Sequence, residues 1–434
     1  MGRLLGMAGR TSCGRAAALG LLALTLASRP TAMRAEVNAD SASGDSQGFT
    51  FSVDLRAIAA DGLPSYLQGG GGKLRFDKDD LRIGRIFLDY RGRLTDTLAA
   101  HATINTYGDG DNNPADVTEM YLDWKPYPRS GWRWRTKLGA FYPPISLENR
   151  AAGWSSGYSL SSSAINTWLG EEFRTIGAEV TATWLGSQRN GSGDLSLIGA
   201  VYEYNDDVGL LLSFRGWSLN DRQTPLFGRL HFIPIFFSTP PANAEFRRGF
   251  EFFHKIDDRL GYYVGAEWKH ADRITLRAMH YDNRADLSKF DHDYAWLTRF
   301  DSLGARVELP RDWTLIGQWM QGDTSFGFIP SGVTQYYLNF DSWFALASKR
   351  MGAHRVTLRY DDFGTDQTMG TGFRNWDAGK AWTFAYLYDV SDRWQVTFEW
   401  LRVHALLTGR VMLGEPVDAV EKQVQLAVRY TLRN

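Results

Sequence analysis

After residue 35 the chain offers no run of about 20 apolar residues, so no segment there can cross a bilayer as a helix. What recurs instead is a stretch of about 8–13 residues in which apolar and polar side chains alternate, closed by a turn. In the last such stretch Val424, Leu426, Val428, Tyr430 and Leu432 share one face, and Gln425, Ala427, Arg429, Thr431 and Arg433 share the other. In the first, Phe49, Phe51, Val53, Leu55 and Ala57 oppose Thr50, Ser52, Asp54 and Arg56. A period of two belongs to a strand whose faces meet different surroundings. About 9–11 residues let a tilted strand cross a membrane, and lipid requires every backbone N–H and C=O to find a partner, which closes the sheet. The expected fold class is all-β: a single transmembrane antiparallel β-barrel with its apolar faces in lipid.

Candidate strands fall at 49–59, 81–91, 97–106, 116–126, 132–142, 173–184, 194–204, 208–218, 246–256, 262–270, 273–282, 294–309, 312–321, 336–348, 353–362, 380–389, 393–403 and 421–433. The middle of the chain is ambiguous, and even totals of 16 and 18 strands both fit a closed bacterial barrel. Short connections such as 309–312 and 390–393 alternate with long ones such as 61–78, 143–172, 322–335 and 361–379. Short turns on one side and long loops on the other are the habit of outer-membrane barrels. A soluble sandwich would also alternate. Its strands usually have about five or six residues, however, and here aromatics such as Trp124, Trp184, Tyr360 and Trp394 sit near strand ends on the apolar faces.

Composition agrees. Aromatic residues make up 14% of the chain, yet the mean hydropathy is only −0.32, as alternation would produce. Arg3, Arg10 and Arg15 precede the apolar run 16–27, a charged region followed by a hydrophobic one. Residues 1–35 read as a signal peptide, 36–48 as a short polar segment, and 49–434 as the barrel. Without residues 1–35 the chain keeps 43 basic and 49 acidic residues and loses Cys13, its only cysteine. A disulfide framework is excluded, and the slight acidity argues against nucleic acid as a partner.

The polar faces would line a lumen. Arg133, Arg135 and Lys137 alternate along one strand and would place three positive charges in one strip. Arg56, Arg85, Arg277, Arg306, Arg355, Arg359 and Arg429 fall on lumen faces too, and such a lining would favour anions. Asp54, Asp89, Glu119, Asp123, Glu179, Glu308 and Glu399 share those faces, so pairing between neighbouring strands is the competing expectation. The long segment after the fifth strand is expected to fold inward and narrow the channel. Glu148, Arg150, Trp154 and Tyr158 on that segment, with Arg85, Glu119, Asp123 and the basic strip, are the constriction candidates.

The stretch from Lys137 to Glu148, KLGAFYPPISLE, and the later EEFRTIGAE at 171–179 resemble the corresponding region of the phosphate-selective porin O and P family. In that family a similar basic strand end with Pro and Ser-Leu-Glu leads into the third loop. The resemblance implies a sixteen-stranded, trimeric outer-membrane channel, with pore arginines and a lysine passing phosphate or polyphosphate in some members.

The function expected is passive diffusion of small hydrophilic or anionic solutes, with no catalytic, cofactor or metal residues and with outer-membrane lipids and lipopolysaccharide around the wall. The bacterial outer membrane is the expected location. Two alternatives remain: an outer-membrane hydrolase and a plugged structural or adhesin barrel. Gly153-Trp-Ser-Ser-Gly157 spells G-x-S-x-G, but it sits in a Ser-rich loop and lacks the strand–turn–helix elbow that motif needs.

Overall fold

The computed structural model describes residues 47–108, 115–189, 191–230, 250–253, 255–291, 293–328, 333–369 and 374–434. The expected signal peptide and nearly all of the polar segment before Phe49 lie outside the described residues. Within them, sixteen strands close one antiparallel barrel. They are β1 (Gly48–Asp61), β2 (Asp80–Arg93), β3 (Leu98–Thr106), β4 (Asp116–Trp124), β5 (Trp132–Phe141), β6 (Thr175–Trp184), β7 (Asp194–Glu203) and β8 (Gly261–His270). The rest of the wall is β9 (Ile274–Asp282), β10 (Trp296–Leu309), β11 (Trp313–Phe328), β12 (Val333–Met351), β13 (His354–Met369), β14 (Trp376–Asp389), β15 (Trp394–Leu407) and β16 (Asp418–Arg433). Each strand pairs with its sequence neighbours, and β1 pairs with β16 from Thr50↔Arg433 to Asp61↔Lys422, so the wall has no open edge.

Two of the eighteen candidate segments do not join the wall. Residues 208–218 contain Leu210-Leu211-Leu212, and they form a short buried helix, α2 (Leu210–Arg215), inside the barrel. Here α2 is numbered after α1 (Ala164–Glu172) of the preceding long connection. A run of neighbouring apolar residues buried on all sides has no need of period two, and periodicity alone cannot tell such a run from a strand. In 246–256, among the described residues, only Phe250–Glu251 pairs, with Arg229–Leu230, as a small separate ladder. The count is therefore sixteen.

The wall is uneven. Strands β3 to β9 have 9 or 10 residues, while β11, β12 and β13 have 16, 19 and 16. Much of 322–335 and 361–379, expected as loop, is strand. Outside, Leu55, Met120, Leu138, Leu197 and Leu303 are exposed, as a lipid-facing surface requires. Trp124, Trp134, Trp313 and Trp394 are exposed near the short-turn end. Trp394 meets Tyr430 with ring centroids 4.9 Å apart, and Trp132 meets Trp184 at 5.3 Å. This is an aromatic girdle of the kind that marks a membrane interface.

The third long connection folds inward, as expected from the sequence. All nine residues of α1 are buried, and the Ser163 hydroxyl caps the helix by accepting from the Asn166 N–H. Trp168 is 1% exposed. Its ring meets Phe173 at 4.6 Å, Phe340 at 5.0 Å, Trp217 at 5.5 Å and Phe300 at 5.8 Å. Phe300 and Phe340 project from β10 and β12, and Leu210, Leu211 and Leu212 join the same cluster. An apolar core thus fills part of the lumen, where sequence alternation suggested only polar wall. Trp168→Ala is expected to weaken docking of α1 by about 3–5 kcal/mol, the usual cost of emptying a buried aromatic site. Chymotrypsin should then cut within 150–175 of the folded, inserted barrel, at sites where the unaltered protein resists.

Candidate functional site

The inward loop leaves β5 and is fastened to β13, eight strands round the closed wall and so on its opposite side. The fastening is Arg359, which has no exposed surface. Its Nε donates to Asp361 Oδ2 (2.8 Å), and its Nη1 donates to Glu148 Oε1 (2.7 Å) and to the Ser161 carbonyl (2.8 Å). Its Nη2 donates to the Ser162 carbonyl (2.9 Å) and to Thr383 Oγ1 (3.1 Å). Glu148 Oε2 in turn accepts from Ser163 N (3.0 Å) and Asn166 Nδ2 (2.8 Å). On β15, Glu399 accepts from the backbone N–H groups of Leu160 and Ser161. Buried charges persist where each is paired and hydrogen-bonded, and that condition is met here.

A second inward segment, 204–228, carries α2 and was not foreseen as one connection. Glu172 closes α1 and receives α2: its carboxylate accepts from Leu211 N (2.7 Å), Gly209 N (3.2 Å) and the Trp168 indole. Burial pushes the Glu172 carboxyl up to about 7, against those hydrogen bonds. A third segment, 62–79, adds Lys73, which has no exposed surface and donates to Asp377 Oδ2 (2.8 Å) and to the Arg215 carbonyl (3.1 Å). Burial lowers the Lys73 pKa to about 8 despite the opposing pull of Asp377.

The constriction candidates separate into distinct environments. Arg135 forks onto Asp123 with contacts of 2.7 and 2.9 Å, and Lys137 meets Glu179 at 3.1 Å. The basic strip is thus neutralised by its neighbours on β4 and β6, while Arg133 is exposed. Glu119 accepts from the backbone N–H of Tyr142 where the loop begins (3.1 Å). Glu148 has no exposed surface and Tyr158 has 3%, so both hold the loop and offer a solute nothing. The Arg355 guanidinium lies 5.0 Å over the Tyr158 ring, and Arg150 is half-buried.

Arg85, Trp154 and their neighbours form the remaining group. Gly153 and Trp154 adopt φ of 64° and 51°, a left-handed pair that is unusual for tryptophan. The turn sets the Trp154 ring on Tyr142 at 4.0 Å, nearly parallel, with the Arg174 guanidinium 3.6 Å from the Tyr142 ring centre. It also aims the Gly153 carbonyl at Arg85. A narrow polar cleft remains between this turn and the inner wall, lined by Arg85, Trp154, Ser155, Asp221, Arg222 and Arg429 among others. Asp221, which the sequence did not single out, accepts from Arg56 (2.6 Å) and Arg75 (2.8 Å). Those two guanidinium groups are the main reason that its pKa lies below the ordinary carboxylate range, against the effect of burial. The hydroxyl of Ser155, the central residue of the G-x-S-x-G match, accepts from Arg85 and donates to the Ala152 carbonyl. No grouping of His, Cys, Asp or Glu suited to a metal ion occurs among the described residues.

The barrel is similar to the outer membrane channel DcaP of Acinetobacter baumannii, at 11% sequence identity and a TM-score of 0.53, over 89% of this chain and 96% of that one. It is also similar to OmpF of Salmonella typhi, solved in complex with daunomycin, at 11% identity and a TM-score of 0.50, over 88% of this chain and 97% of that one. No family model and no curated protein matches the chain. These likenesses concern the fold: a closed sixteen-stranded antiparallel barrel with an apolar exterior.

Glu172 makes the docking of α2 depend on pH. Its folded-state pKa of about 7 lies above the ordinary 4.5, so between those values the folded protein holds a proton that the unfolded chain releases. Stability therefore falls as pH rises through that window, by at most about 3 kcal/mol. The near-ultraviolet circular dichroism of the packed tryptophans should melt at a lower temperature at pH 8 than at pH 5.5. Glu172→Gln should flatten that difference.

Proposed function

We propose that this chain is an outer-membrane channel for the passive diffusion of small hydrophilic solutes. The single observation that carries the reading is a closed sixteen-stranded wall, apolar outside and lined with charge inside, whose inward segments are fastened across the lumen. A wall of that size is wide enough to enclose water, and the inward segments narrow it. Solutes would be filtered there by size and charge with no covalent step. An anion preference is part of the proposal and rests on Arg85, Arg222, Arg429 and exposed Arg133. Arg135 and Lys137 contribute less, because Asp123 and Glu179 offset them.

A homotrimer also belongs to the proposal. Its support is the low wall β3–β9, where Met120, Leu122, Leu138, Leu197 and Val201 are exposed on strands of 9 or 10 residues. Phosphate as the favoured solute finds no support beyond the two resembling stretches. The plugged-barrel reading has a specific observation in its favour, the apolar core around Trp168 inside the lumen.

Planar-bilayer recording of purified protein under a salt gradient decides between the two. The channel reading expects stable ohmic steps with reversal on the anion side. Arg359→Met strands Glu148 and Asp361 without their buried partner, a loss of about 3–5 kcal/mol, and should enlarge the steps by releasing the loop. Folded, inserted protein that stays silent with and without this substitution would replace the channel reading with the plugged one.

A further inference from the structure

The cleft beside Arg85 holds a charge that the described residues do not balance. Arg85 is 5% exposed, so its guanidinium is out of bulk water. Its Nε donates to Asn105 Oδ1 (2.7 Å), its Nη1 to Ser155 Oγ (2.8 Å) and its Nη2 to the Gly153 carbonyl. All three acceptors are neutral. No carboxylate among the described residues forms an ion pair with it, and its guanidinium lies 4.8 Å over the Phe87 ring.

The carboxylates nearby are already engaged. Asp54 takes both arms of Arg56 (2.7 and 3.0 Å) and also meets Arg429 at 3.3 Å. Asp221 joins Arg56 and Arg75. Asp89, on the same face of β2, accepts from His101, Thr103 and the Gly153 N–H. Around Asp54 and Asp221 stand the guanidiniums of Arg56, Arg75, Arg85 and Arg429, so cations outnumber carboxylates in this group of described residues. An ionised group removed from water is costly unless an opposite charge meets it.

Directly beside Arg85 lies a cavity of about 10 Å³, faced by Arg85, Arg222, Arg429, the already shared carboxylate of Asp221, Ser155 and the Trp154 ring among others. That volume admits the centre of one water-sized particle. Guanidinium groups are the strongest side-chain partners for an anion, and the three hydrogen bonds above leave Arg85 with N–H donors to spare. A tetrahedral oxyanion such as phosphate is too large for the space. We propose that this cavity binds a single monatomic, monovalent anion, of the chloride class, as the missing counter-charge of Arg85. The ion lies between the turn at Gly153–Ser156 and the wall at β2 and β16, so it adds a second clamp on the inward loop. The site exists whether or not the barrel conducts.

The test uses the full chain folded in detergent. Crystals soaked in sodium bromide should show an anomalous bromine peak within hydrogen-bonding reach of the Arg85 guanidinium and Ser155 Oγ. Arg85→Gln should abolish that peak. In solution, the unaltered protein should melt higher in chloride than in isethionate at equal ionic strength, by about 2 °C or more. Arg85→Gln should melt alike in both salts. Should that variant fail to fold, the bromide map and the salt comparison on the unaltered chain still decide. Density at the site that refines as water with no bromine signal, or a tetrahedral anion there after a phosphate soak, would overturn the proposal. So would a melting temperature indifferent to chloride.

Discussion

The arrangement inside this barrel depends on one buried guanidinium. Arg359 projects from β13 into the lumen and spends its donors on Asp361, Glu148, Thr383 and two carbonyls of the loop. The loop starts and ends on the far wall, so satisfying Arg359 requires the chain to cross the lumen. Removing either partner would leave a charge stranded in a dry interior, which makes the pairing hard to undo. Glu399 adds a second hold by accepting the N–H groups of Leu160 and Ser161. Once Glu148 and Ser161 are fixed, Ser163 is placed to start α1, and α1 carries Trp168 into the apolar cluster.

The lumen is consequently divided. On the side of β10 to β12 it is a dry core, where the Phe340 ring meets Trp168 and Trp217 edge to face and Phe300 packs at a tilt on Trp168. On the side of β1, β2 and β16 it is charged, with arginines outnumbering carboxylates around Asp54 and Asp221. Glu172 joins the two inward helices, and burial raises the pKa of its carboxyl. A solute passing this barrel would meet the basic side, because the apolar side is already filled by the protein's own chain.

The wall was legible in the sequence because period two is a local signal. Val424 to Leu432 and Phe49 to Ala57 face outward in the structure as their alternation implies, and Gln423, Gln425 and Arg56 face inward. The misreading at 208–218 arose where the chain leaves the wall. Leu210, Leu211 and Leu212 are buried by partners distant in sequence, and nothing local announces those partners. The basic strip on β5 was visible as charge, but its neutralisation needed the register that sets Lys137 opposite Glu179. The sequence makes Glu148 and Tyr158 constriction candidates, and the structure buries both in the seam of the inward loop. Whether such a residue faces a solute or ties down a loop depends on what stands across the lumen, and the sequence carries no distance of that kind.

Residues 160–174 dock against the opposite wall and are not an external flap. Hydrogen exchange of the backbone amides of the inserted, folded barrel tests it most directly. The account predicts that the N–H groups of Leu160, Ser161, Ala164 and Phe173 exchange as slowly as those of the neighbouring strands, and that Arg359→Met accelerates them while the strands stay protected. Exchange of those amides within seconds in the unaltered protein, at rates typical of an exposed loop, would contradict it.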